Sequence, residues 1–238
     1  MTEYTIYPLV VGANETDQGI MTYLRGYGRR IWIPIYVFVL KGADKNILID
    51  TGLEQFVVPE EVATSYGWEI LEFDQALARV GLRPEDIDII IHTHLHNDHC
   101  ENDNRCPRAT VYVQRREYEF WQNPHPIDHR YYPDVLEGVR EVVVIDGEEE
   151  IYSGIRVVPT PGHTAGGQTV LVNTSSGTAV ITGFCCNEAN FPQVGPAVAP
   201  GVHLDAILAW ESAQKVREMG DILIPLHAVW PGQKKKIP

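Results

Sequence analysis

The stretch that most constrains this chain is Ile89-Ile-Ile-His-Thr-His-Leu-His-Asn-Asp-His99. Its Ile-rich start reads as a buried strand. Its end is a cluster of metal-ligand residue types, so the ligands sit where a core strand gives out into a loop. Successive side chains of an extended chain alternate. His94, His96 and Asp98 therefore point to one side, and His99 points elsewhere. One short turn can then offer two ligands to one metal and two to its neighbour. Imidazole and carboxylate suit zinc, iron or manganese. A solvated His-rich turn is the alternative, but three His and one Asp within six residues form the cluster expected of a metal motif.

The rest of the chain alternates strands and helices. Strands are expected at Ile31–Leu40, Ile47–Asp50, Ala109–Gln114, Glu141–Asp146, Ile155–Pro159, Gln168–Asn173, Thr178–Thr182 and Asp221–Pro225. Pro34 restricts the first of these to an edge or start position. Helices are expected at Phe73–Val80, Arg115–Gln122 and Leu204–Met219, the last with Leu204, Ile207, Leu208, Val216 and Met219 on one stripe. Residues 53–73 read as irregular, the kind of segment that walls or covers a site. Residues 123–134 read as a loop, with His125, His129, Tyr131 and Tyr132 either lining a pocket or lying on the surface. This order fits two sheets packed face to face with helices outside.

The motif His94-Leu-His96-Asn-Asp98-His99 resembles the signature of the metallo-β-lactamase superfamily. Asp50-Thr-Gly52 at the end of a strand, Pro161-Gly-His163 in a tight loop and His227 after the last strand extend the resemblance. It implies an α+β fold, an αββα sandwich of two mixed β-sheets with outer helices, built as a single domain over 1–238. It implies His94, His96 and His163 at a first metal, and Asp98, His99 and His227 at a second. Two zinc ions per chain are expected, with manganese or iron compatible. Asp50 becomes a buried group behind the ligands, although a simple strand-terminating turn reads the same locally.

The chain departs from the family pattern where an Asp that bridges both metals is expected. The sequence there is Thr182-Gly183-Phe184-Cys185-Cys186, with no Asp. Thiolate is a good zinc ligand. By analogy with the superfamily branch that carries a Cys ligand, Cys185 or Cys186 completes the second site, Cys185 by a one-residue shift. Otherwise both are small buried residues and the bridge is absent.

Within the superfamily the chain is similar to the N-acyl homoserine lactonase group, on Pro34–Leu40, Ile47–Gly52, Gln114–Tyr118 and Asn190-Phe191. This implies a zinc-dependent hydrolase in which metal-bound hydroxide opens a small cyclic ester, with Asp98 steering water or protonating the leaving group. The Tyr that the lactonase group carries after the bridging Asp is missing, so a different small cyclic ester, amide or imide stands nearly level with the acyl-homoserine lactone itself as the expected substrate. Other classes are a mononuclear iron oxidoreductase acting on a sulfur compound, and a non-catalytic metal or thiol sensor.

The net charge of −13 argues against a nucleic-acid surface, which needs phosphate neutralisation. No apolar run is long enough to span a bilayer. The N-terminus lacks a signal-peptide pattern. Four cysteines in a chain of 238 residues without such a pattern point to free or metal-bound thiols and a cytoplasmic location. The expected partner is a small-molecule substrate, and a homodimer is compatible.

Overall fold

A computed structural model describes residues 2–54 and 58–238. Expectations for residues 55–57, within the 53–73 segment, lie outside the described residues. Two mixed sheets form the centre. The first has β1 (Thr5–Asp17), β2 (Arg30–Lys41), β3 (Ile47–Ile49), β4 (Ile89–Ile91), β5 (Thr110–Gln114) and β6 (Glu141–Ile145), in that spatial order. The second has β7 (Glu149–Tyr152), β8 (Ile155–Pro159), β9 (Gln168–Thr174), β10 (Gly177–Ile181) and β11 (Ile222–Ile224), running from β11 to β7 across the sheet. Pairing is antiparallel through β1–β3 and parallel from β3 to β6. In the second sheet only β10 and β11 run parallel.

The layers follow from strand alternation. In β2, Tyr36, Phe38 and Leu40 join one core cluster, and Ile35, Val37 and Val39 join another. In β9 and β10, Val170, Val172, Ala179 and Ile181 share the first cluster with them, whereas Leu171 and Val180 face away. The first cluster is thus the space between the sheets. The second lies outside the first sheet under α3 (Phe73–Arg79) and α5 (Arg115–Gln122), the third outside the second sheet under α6 (Ala206–Val216). This is the αββα sandwich.

One detail of the sequence expectation holds locally and two differ. Pro34 lies inside β2, opposite Ala13 of β1, but β3 pairs only with Phe38–Leu40, so β2 has no strand on its other side at Pro34. The missing N–H therefore breaks no ladder. The helix α6 buries Ala209, Ser212, Ala213 and Val216, while Ile207 and Leu208 are exposed. Asp205 caps it, accepting from the Ile207 and Leu208 nitrogens at 2.9 and 3.0 Å. Small residues face inward because the helix start presses on Gly162: a Cβ there would sit 2.1 Å from the Ala209 nitrogen. Third, the 53–73 region contains a helix, α2 (Glu60–Tyr66), and its Trp68 is packed into the inter-sheet cluster.

The segments following β3, β4, β8, β10 and β11 carry Asp50, the 92–99 stretch, His163, Cys185–Cys186 and His227. These converge on one cleft at the sandwich edge. No helix among the described residues is long and apolar enough to cross a membrane.

Candidate metal centre

Beyond β4 the chain bends at Thr93, is extended again at His96, and then turns into the short helix α4 (Asn97–Cys100). The turn sends the residues in two directions. His94, His96 and His163 bring one nitrogen each to within 4.8 Å of one another, and so do the donor atoms of Asp98, His99 and His227. The three rings of the first set stand edge-on, with centroids 4.7 to 5.0 Å apart. The rings of the two sets meet at His94 and His99, 4.3 Å between centroids.

The partners of these rings decide which nitrogen carries the proton. The Nδ1 of His163 lies 2.7 Å from the Val202 carbonyl, and the Nδ1 of His227 lies 3.0 Å from the Pro34 carbonyl. A carbonyl only accepts, so each Nδ1 is protonated and each Nε2 keeps its lone pair. His96 donates through Nε2 to Asp128 Oδ2 at 3.0 Å, which leaves its Nδ1 free. His99 donates through Nδ1 to Asp50 Oδ2 at 2.9 Å. The Thr93 hydroxyl donates to the same Asp50 oxygen at 2.7 Å, so it accepts from His94 Nδ1 at 3.0 Å. Five imidazoles are thereby fixed with lone pairs on the nitrogens not otherwise engaged. His99 Nε2 is buried without a hydrogen-bond partner. An orphaned buried nitrogen beside a carboxylate and a second imidazole lone pair fits a divalent cation. The residues present therefore fit two metals, one per set.

The electrostatics agree with ligand duty. Burial, then the surrounding imidazoles, holds His94 well below the usual histidine range. Burial does the same for His163, and pushes His227 down to about 4. Burial also lowers His96, against the pull of Asp128. His99 is the exception: burial works against its charge, but Asp98 and Asp50 outweigh it and hold it up to about 10, so in the chain alone Nε2 also carries a proton, which a cation at the second set would have to displace. The His99 and His227 rings, against the cost of burial, hold Asp98 far below the usual carboxylate range.

Asp50 is a fully buried hub with a positive φ of 57°. It accepts from the Thr93 nitrogen at 2.7 Å, from the Thr93 hydroxyl and from His99. His92 lies beyond it, bonded through Nε2 to Asp103 Oδ2 at 2.8 Å, and Asp103 accepts from Thr51 Oγ1 at 2.8 Å. Burial works against the His92 charge, but Asp103 and Asp50 hold it up to about 9.

Sequence reasoning missed several of these groups. Asp128 and Arg130 come from the 123–134 loop, but His125 and His129 beside them are exposed. Tyr131 is buried and donates to Glu117 Oε1 at 2.8 Å, and Tyr132 is exposed. Glu117, on α5, is fully buried. It also accepts from the Leu95 nitrogen at 2.9 Å and the Gly166 nitrogen at 2.9 Å, tying the first motif to the His163 loop.

The two thiols are placed apart from each other, and neither donor set includes a sulfur. Cys186 turns into the cluster under α6, its sulfur 3.0 Å from Thr182 Oγ1. Cys185 lines the cleft, but its sulfur contacts Met21 Sδ at 3.5 Å. Burial pushes both thiols up, so both are neutral in the chain alone. The cleft itself has a volume of about 340 Å³.

Comparison with known proteins places this geometry. The model of the metallo-beta-lactamase superfamily matches residues 30–183. An N-acyl homoserine lactonase of Bacillus cereus is 28% identical over 231 residues, covering 92% of this chain and 89% of that protein. The metallo-beta-lactamase domain-containing protein 1 of Xenopus laevis is 36% identical over 167 residues, covering 70% of this chain and 64% of its own length. A crystal structure of a B. thuringiensis AiiA variant with N-decanoyl-L-homoserine bound at its active site superposes with TM-score 0.78 at 23% identity, covering 97% of this chain and 95% of that one. That likeness speaks for the fold alone. Motif, sandwich and family match together establish that the chain belongs to the metallo-beta-lactamase superfamily, with N-acyl homoserine lactonases among its near-full-length relatives.

Proposed function

We propose that this protein is a dinuclear, zinc-dependent hydrolase that opens a small cyclic ester, a lactone, or a related cyclic amide or imide. The observation that carries the reading is the pair of adjacent three-residue donor sets, His94, His96, His163 and Asp98, His99, His227, with every imidazole held in a ligand tautomer. Divalent cations at such sites supply Lewis acidity and an acidified water for carbonyl hydrolysis. Two complete sets favour two cations over a single iron.

The chain's own residues do the rest. Asp98 is the one carboxylate in the donor sets, and it lies partly open to the cleft. It can orient a water and carry a proton to a leaving group. Asp50 and Asp128 hold the imidazoles at fixed angles, so little reorganisation is needed. The lactonase relatives support cyclic esters as the substrate class.

The test is a panel of γ- and δ-lactones and cyclic imides, assayed with zinc-loaded, chelator-stripped and zinc-restored protein. The reading requires turnover that vanishes on stripping and returns on restoration. Full activity after complete metal removal would contradict it, as would one iron per chain with substrate-dependent oxygen uptake.

A further inference from the structure

We infer that Arg130 recognises an oxyanion of the substrate, and that the compound hydrolysed carries a carboxylate next to the bond that breaks. The inference rests on the hydrolase reading above and adds a substrate class to it. Among the described residues lining the cleft, Arg130 is the one Lys or Arg. Its side chain is 30% exposed, although the Asp128 carboxylate it grips is buried. In a chain of net charge −13, a guanidinium opening into the catalytic cleft needs a reason.

The guanidinium is fixed in place. Its Nε donates to Asp128 Oδ1 at 2.8 Å and its Nη2 to Asp128 Oδ2 at 2.7 Å. Arginine has five N–H donors. The two used here lie on one edge of the plane, so the Nη1/Nη2 end remains as a second fork. Such a fork matches a carboxylate bidentately. Asp128 has no capacity left to turn outward, because Oδ2 also accepts from His96 and Oδ1 from the Arg130 backbone nitrogen. The fork is therefore one carboxylate away from a ligand of the first donor set. Tyr131, next in the chain, turns its hydroxyl onto Glu117 and adds no donor to the cleft.

Arg130 also supports Asp128 and, through it, His96. The two roles differ in what they do to different substrates. Support affects all substrates alike, whereas recognition affects only the anionic ones.

The experiment uses zinc-loaded enzyme with 5-oxotetrahydrofuran-2-carboxylate and its neutral methylamide, for the parent, Arg130→Lys and Arg130→Met. Recognition predicts that the parent prefers the carboxylate by about tenfold or more in kcat/KM. Arg130→Met should bring the carboxylate-to-methylamide ratio of kcat/KM to about one, whatever its effect on the rate common to both through Asp128 and His96, and Arg130→Lys should keep part of the preference. Equal use of both lactones by the parent overturns the proposal and leaves the hydrolase reading standing. So does an equal loss on both in Arg130→Met, accompanied by loss of zinc. If neither lactone is opened, the hydrolase reading fails for this class, and succinate binding by calorimetry decides on Arg130. Binding lost in Arg130→Met sustains oxyanion recognition by Arg130 alone, and binding absent from the parent or unchanged in Arg130→Met overturns it.

Discussion

Replacing Asp50 by Asn changes one atom in the group that fixes the second donor set. The backbone there has φ 57°, a conformation Asn adopts as readily as Asp, so the chain path stays the same. One carboxylate oxygen becomes an NH₂. If it replaces Oδ1, it faces the Thr93 N–H at 2.7 Å, donor against donor, and an orphaned buried N–H costs about 1–3 kcal/mol. If it replaces Oδ2, it faces His99 Nδ1 at 2.9 Å. His99 must then move its proton to Nε2, the nitrogen offered to the metal. Loss of such an orienting partner lowers metal affinity about 10- to 100-fold, or about 1.4–2.8 kcal/mol. The first set is touched only through Thr93 and His94, so it should suffer less. Competition with a coloured chelator reads the two zinc affinities separately. Asp50→Asn is expected to weaken one of two zinc ions by at least about tenfold. Asp128→Asn, which frees His96, should weaken the other. Unchanged affinity for both ions in Asp50→Asn would refute the tautomer argument.

Other expectations follow from the same contacts. Glu117→Gln sets an amide NH₂ against a backbone N–H or the Tyr131 hydroxyl, and should cost about 2–3 kcal/mol in chemical denaturation; a change under about 0.5 would mean the hub does not matter. The metal-free chain should be most stable between about pH 6 and 8. His94, His96, His163 and His227 are held below the unfolded value, so their contribution is present above about pH 6.5 and is lost as pH falls. His92 and His99 are held up to about 9 and about 10, so theirs is present below about pH 6.5 and is lost as pH rises through those values. Thermal melting across pH that shows a monotonic trend would contradict this. Cobalt substitution should give no strong thiolate charge-transfer band, because Cys185 packs on Met21 and Cys186 on Thr182; a band lost in Cys185→Ser would make that thiol a ligand.

The sequence exposed the fold and the donor sets because their chemistry is local. Continuous apolar runs such as Ile35–Leu40 mark buried strands without knowledge of their partners, and strand geometry then divides their side chains between two layers. The 94–99 cluster gathers its ligands within one turn. The supporting groups were not legible, because their roles arise only when distant segments meet. Asp128 stands 32 positions from His96, in a loop whose neighbouring side chains are exposed. Glu117 carries no pattern that separates a buried carboxylate from a solvated helix residue. The orientation of α6 was misread for a related reason. Its large apolar residues look like the core face, but close approach to Gly162 admits only small ones.

The most direct test of the account is zinc content per chain, measured together with lactone turnover as zinc is titrated into stripped protein. The account predicts two zinc ions bound per chain, with activity reaching its plateau as the second one binds. A single bound ion giving full activity would contradict the pairing of the two donor sets. Two bound ions with no hydrolysis of any cyclic ester, amide or imide would contradict the function drawn from them.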